Sequence, residues 1–167
     1  MDVKSEKKST DILFINPPSA FGAYMCTKVA VFKQVFPLLS FMSLSAFVKR
    51  EGFNTAVLDL GIENNPYGLL SEKLEELKPR FVGITSTTPL FFEVVEISRI
   101  TKDILGSDVR IIYGGPHATA LPEESLNNSE VDIAVIGEGE QTLLEILQGK
   151  KLSDINGIFY KESGNVL

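Results

Sequence analysis

Four short stretches hold the residue types that could do chemistry. In "VRIIYGGPHATALPEE" (Val109–Glu124), a β-branched run ends in Gly114, Gly115 and Pro116 and is followed by His117, the only histidine of the chain. A histidine there could be a base, a metal ligand or a hydrogen-bonding loop residue. No cysteine, serine or second histidine forms a recognisable dyad with it, and one histidine does not make a zinc site, so the hydrogen-bonding role is favoured. Two adjacent glycines remove two side chains where a strand exits. They fit either a tight turn or a backbone that must let something large slide past.

The second stretch is a run of four hydroxyls, Thr85, Ser86, Thr87 and Thr88. Hydroxyls donate and accept without charge, and one or two of them could simply cap the next helix. Four together predict a pocket for a polar, largely neutral ligand. In the third, "IGEGEQT" (Ile136–Thr142), Gly137 precedes Glu138 and Glu140 at a predicted helix start. Acids suit that position and argue against an anion binding there; as a general acid and base they rest on spacing alone. The fourth, "NPPSAFGAY", begins with Asn16, Pro17 and Pro18. It has neither the GxGxxG of a dinucleotide fold nor the GxxxxGK[ST] of a phosphate loop, and none of these loops offers a Lys or Arg to a phosphate. Nucleotide enzymes of the usual kinds are therefore poorly supported.

The elements that must position these loops follow from the apolar pattern. "DILFINPP" reads as a buried strand stopped by Asn-Pro-Pro, and "PLLSFMSLSAFVKREG" as a helix opened by Pro37 and closed by Gly52. "NTAVLDL", "RFVGITS", "VRIIY" and "VDIAVIG" are four more strands. Helices are predicted in "YGLLSEKLEELKP", "PLFFEVVEISRITKDILG" and "GEQTLLEILQG", and the tail "INGIFYKESGNVL" reads as two short strands around Ser163-Gly164. Strands alternating with helices at this spacing predict a doubly wound α/β sandwich of three layers. The expected sheet has five parallel strands in the flavodoxin-like order 2-1-3-4-5, followed by a short C-terminal β-hairpin. Its ligand crevice would lie at the carboxyl ends, where strands one and three diverge.

Composition narrows the partners. A chain of 167 residues is one ordinary domain with room for a sizeable core, and its net charge of −6 gives nucleic acid no basic face to bind. The single cysteine, Cys26, excludes an internal disulfide and a cysteine metal cage, and fits a reducing cytoplasm. No secretory signal opens the chain. The apolar run Val29–Val48 is interrupted by Lys33, Gln34 and Pro37, which argues against a membrane span. Residues 1–10 are expected to be a frayed tail, 11–152 the domain, and 153–167 a hairpin or linker.

Taken together, "PLLSFMSLSAFVKREGFNTAVLDL", "FVGITSTTP", "IIYGGPHAT", "DIAVIGEGEQTLLEIL" and "INGIFYKESG" resemble the N-terminal cobalamin-binding domain of B12-dependent radical SAM enzymes, a group that includes the anaerobic magnesium-protoporphyrin ester cyclase and related methyltransferases. The resemblance runs from about Asp11 to the C-terminus and is strongest in GGPHAT and GEGEQT. It implies a corrinoid over the carboxyl ends of the strands, its nucleotide tail threaded into the core past Thr85–Thr88 and Gly114-Gly115. Ser86 and Gly115 are the leading contacts on this reading, with Asn16, Pro17, Pro18, Pro116, His117, Gly137 and Glu138 nearby.

Two departures matter. The B12 fold of methyltransferases and mutases carries DxHxxG after strand one, its histidine ligating cobalt from below; this chain has "NPPSAFG". The resemblance then implies base-off cobalamin with no protein histidine ligand and no metal-binding side chain. The CxxxCxxC motif that holds a [4Fe–4S] cluster and cleaves S-adenosylmethionine is also absent, so both belong to a C-terminal radical SAM domain outside these residues, along with the small-molecule substrate. Alone, the domain is expected to bind without turnover and to have no catalytic residue. One alternative is a degenerate domain serving as a scaffold, its crevice filled by its own Phe21, Tyr24 and Phe36. Another is a small flavodoxin-like enzyme using His117 with Glu138 or Glu140.

Overall fold

Five near-continuous apolar runs form the parallel part of one sheet, as strands between two layers of helices do. The structure, a computed structural model, describes residues 9–18 and 38–167. Its strands are β1 (Ile12–Asn16), β2 (Thr55–Asp59), β3 (Phe81–Thr85), β4 (Arg110–Gly114), β5 (Ile133–Val135), β6 (Ile158–Glu162) and β7 (Asn165–Val166). They pair in the order β2-β1-β3-β4-β5-β6-β7. The first five are parallel in the expected order. The terminal hairpin does not stand apart: β6 runs antiparallel to β5 and carries β7, so the sheet has seven strands. Ser163 and Gly164 turn the hairpin, both with positive φ (51° and 83°), as a tight two-residue loop requires.

The two faces have separate cores. On one, Leu13, Ile15, Val82, Ile84, Ile111 and Tyr113 pack under α2 (Pro66–Leu77) and α3 (Phe91–Leu105). On the other, Ile12, Phe14, Phe81, Ile112, Ile133 and Val135 pack under α1 (Leu39–Arg50) and α6 (Glu140–Leu147). Strand alternation decides the division, since successive side chains point to opposite faces.

The predicted helices form with small boundary shifts. Pro89 opens a 3-10 turn (Thr88–Leu90) that leads into α3, and Lys49 and Arg50 occupy the last turn of α1 as the helix dipole favours. Asn65 caps α2 by accepting from the Gly68 N–H. Two helices replace the loop expected after strand four: α4 (Pro116–Ala120) and α5 (Pro122–Asn127). Each starts at a proline and lasts hardly more than one turn, too short to show helical periodicity in sequence. Strand five is shorter than predicted; at its start the Asp132 carboxylate, in place of a backbone carbonyl, accepts from the Ile111 N–H (2.7 Å) and also from Lys102 Nζ (2.9 Å). Among the described residues no helix is long and apolar enough to cross a membrane.

Candidate binding cavity

A cavity of about 410 Å³ lies between the sheet and helices α1 and α6, within the size range of small-molecule sites. Its floor comes from four strands: Phe14 of β1, Gly83 and Ile84 of β3, Ile112 and Gly114 of β4, and Val135 of β5, with the half-exposed Thr85 where β3 ends at the rim. Leu39, Ser40, Phe41, Ser43 and Leu44 of α1 form one wall; Glu140 and Leu143 of α6 form the other. Gly115, Gly137, Glu138 and Gly139 close the rim.

The space exists because two strand positions on this face lack side chains. A Cβ built on Gly83 would lie 2.8 Å from the Phe14 ring, so glycine lets that ring lie flat against Phe41 (centroids 5.2 Å apart). A Cβ on Gly114 would meet nothing within 4 Å, which makes this position open floor. Gly115 has a different cause. Its φ of +96° is left-handed, and a Cβ there would collide with Thr85 Oγ1. The double glycine is therefore one residue of hollow and one of forced turn.

Ser43 Oγ donates to Glu140 Oε1 (2.8 Å), tying α1 to α6 across the solvent-exposed lip. Glu138 is exposed at the same rim, and no lysine or arginine lines the cavity. The deep lining is apolar and the polar groups stand at the mouth. This arrangement suits an uncharged, apolar group inside and polar groups at the mouth.

The sequence-predicted residues divide into two groups. Thr85, Gly114, Gly115, Gly137 and Glu138 line the cavity. Ser86 points to the opposite face, where its Oγ lies 2.6 Å from the Tyr113 hydroxyl in a buried pair. Burial pushes the Tyr113 phenol up to about 12, against the smaller opposing pull of Ser86. His117, 1% exposed and on α4 rather than in a loop, shares its Nδ1 with Thr88 Oγ1 (3.2 Å) and packs on the Phe91 ring (centroids 4.4 Å apart). Its Nε2 has no hydrogen-bond partner among the described residues. The hydrogen-bonding role read for His117 is the one it has, and it is not brought together with Glu138 or Glu140.

Asn16 donates through Nδ2 to Asp59 Oδ1 (2.7 Å), holding the ends of β1 and β2 together beside Pro17 and Pro18. Thr87 is exposed and starts the 3-10 turn, and Pro116 is exposed at the start of α4. Cys26, Phe21, Tyr24 and Phe36 lie outside the described residues. Among those residues, no group of three or more His, Cys, Asp or Glu could hold a metal ion. Sequence reasoning missed Phe14, Gly83, Ile112, Val135 and Ser43. A lone glycine inside an apolar strand was the available signal for Gly83.

The family model of the B12 binding domain matches residues 25–147. The chain belongs to the B12-binding domain family. Among curated relatives, an uncharacterized methyltransferase of Pyrococcus horikoshii is 32% identical over 135 residues, which are 78% of this chain and 29% of that protein. The anaerobic magnesium-protoporphyrin IX monomethyl ester cyclase of Rubrivivax gelatinosus is 29% identical over 126 residues, 70% of this chain and 22% of that protein. The chain thus spans less than a third of either relative. Two solved radical S-adenosylmethionine enzymes share the fold. The methyltransferase TsrM of Kitasatospora setae, solved with cobalamin and a [4Fe-4S] cluster, has a TM-score of 0.77 at 22% identity, over 95% of this chain and 30% of its own. OxsB, solved with aqua-cobalamin and S-adenosylmethionine, has a TM-score of 0.70 at 22% identity, over 96% of this chain and 22% of its own.

Proposed function

We propose that this domain binds base-off cobalamin through a tail seated in the α1/α6 cavity and presents the corrinoid to a radical SAM domain of the same parent chain. The observation that carries this reading is the glycine-made hollow beside Thr85, Gly114 and Gly115: a cradle that a Cβ would begin to fill, in a domain of the B12-binding family. Apolar walls exclude water from the tail, and Thr85 and Glu138 face its polar parts at the rim. Asn16, Pro17, Pro18, Thr87 and Pro116, at the carboxyl ends of the strands, form the surface on which the ring would rest. His117 is committed to Thr88 and walled in by Phe91, which agrees with a cobalt that takes no histidine from the protein.

Ser86 serves this site indirectly. Its bond to Tyr113 fixes the turn whose carbonyl, Ser86 O, accepts from the His117 N–H at 3.5 Å, and so sets the path of Gly115. When bound, cobalamin would supply methyl transfer or cobalt-assisted oxidative cyclisation; the protein's part is orientation and exclusion of water. The domain has no catalytic residue on this reading. Residues 153–167 lead toward the radical SAM domain, which would bring the [4Fe–4S] cluster, S-adenosylmethionine and the small-molecule substrate. The setting is cytoplasmic, with no nucleic-acid or membrane partner.

Titration of the chain with hydroxocobalamin, desalting and a visible spectrum test the reading. Retained corrinoid with a base-off spectrum is expected. A base-on spectrum would refute the seated tail, and an empty protein, repeated with the parent enzyme, would refute cobalamin binding.

A further inference from the structure

We infer that the cavity selects among corrinoids by the polarity of the lower base, accepting a benzimidazole or phenolic base and rejecting a purine. The inference rests on the cobalamin reading above and adds which corrinoid the site takes.

The cavity's polarity is divided by depth. Phe14, Phe41, Ile112, Val135 and Leu143 are each no more than 5% exposed, and none carries a side-chain polar atom. The floor backbone has nothing to offer either. Gly83 and Ile112 lie on strands paired on both sides, so their N–H and C=O groups point along the sheet to neighbouring strands and not into the cavity. Every polar side chain of the lining lies in the exposed or half-exposed zone: Ser40, Ser43, Thr85, Glu138 and Glu140. Two of these, Ser43 and Glu140, already bond each other.

A benzimidazole buried on this floor brings one polar atom, the ring nitrogen that base-off binding frees from cobalt, and the ribose that follows it would lie toward the hydroxyls and carboxylates of the mouth. An adenine would bring an exocyclic amine and further ring nitrogens into the same floor with no partner for any of them. One such loss weakens binding by roughly tenfold.

The test is a comparison of dissociation constants on the full chain for three corrinoids: cobalamin, the cobamide whose lower base is adenine, and cobinamide, which has no base. Cobalamin is expected to bind at least about tenfold more tightly than the adenine cobamide. Val135→Thr, nearly isosteric, sets a hydroxyl on the floor and should narrow that ratio; Ile112→Thr replaces it if the first variant loses its native circular dichroism. Equal affinity for cobalamin and the adenine cobamide, with cobinamide weaker, overturns the selection and leaves the cobalamin reading standing. Cobinamide binding as tightly as cobalamin overturns it too, because the base then contributes nothing. A ratio unmoved in a folded threonine variant removes the base from this floor. Failure of all three corrinoids to bind refutes the cobalamin reading itself.

Discussion

The two faces of the sheet are built from the same strands and do opposite things. Beneath α2 and α3, every inward position from β1 to β5 carries a side chain: Leu13 and Ile15, Val82 and Ile84, Ile111 and Tyr113, and Ala134. Beneath α1 and α6, the equivalent rows are interrupted by Gly83 and Gly114, and a cavity of about 410 Å³ results. The filled face supplies stability and fixes strand register. The hollow face inherits that register, so its opening is held by a frame that needs no ligand to assemble. Stability and binding should then respond to different substitutions.

The largest expected effect is on the filled face. Leu74, fully buried on α2, should cost about 2–5 kcal/mol when replaced by alanine, measured by urea unfolding, with corrinoid affinity in the folded fraction unchanged. Gly114→Leu probes the reverse: it fills the hollow, and should lower corrinoid affinity by about a hundredfold, or roughly 2.7 kcal/mol, while thermal stability holds or rises. If Gly114→Leu unfolds the domain, the two faces are not separable. Ser86→Ala leaves the buried Tyr113 hydroxyl without its partner and should cost about 1–2 kcal/mol; adding Tyr113→Phe should cost less than the two single changes summed.

The last effect is alkaline. The Tyr113 phenol is raised to about 12 in the folded state, above its unfolded value near 10. The native state therefore holds its proton longer, and stability present below pH 10 declines as pH rises toward 12. Tyr113→Phe should flatten that decline in a pH series of unfolding curves.

Much of this comparison was legible in the sequence. Five apolar runs separated by helical patterns were sufficient for the parallel order, and GGPHAT and GEGEQT for the edge where the cavity opens. Choosing between neighbours was harder. Thr85 and Ser86 are adjacent hydroxyls, yet the pleat sends Thr85 into the cavity and Ser86 to Tyr113 on the far face. Strand alternation counted from Gly83 would have separated them. The α1 wall could not be read this way. Leu39 and Ser43 acquire their role only when α1 docks beside α6, a contact made across 97 positions of sequence in the Ser43–Glu140 bond. His117 was readable as a hydrogen-bonding residue but not as a buried one, because α4 is too short to announce itself.

The hollow at Gly114 also bears on how such a domain changes over generations. Glycine inside a strand is less stable than alanine by about 0.5–1 kcal/mol, and here nothing within 4 Å resists a larger residue. A glycine codon becomes an alanine or valine codon by one base change. Mutation alone would thus push this position toward a sturdier domain with a smaller hollow. A lineage under selection only for folding would drift to a sealed face; on the cobalamin reading, the gap persists for what it receives.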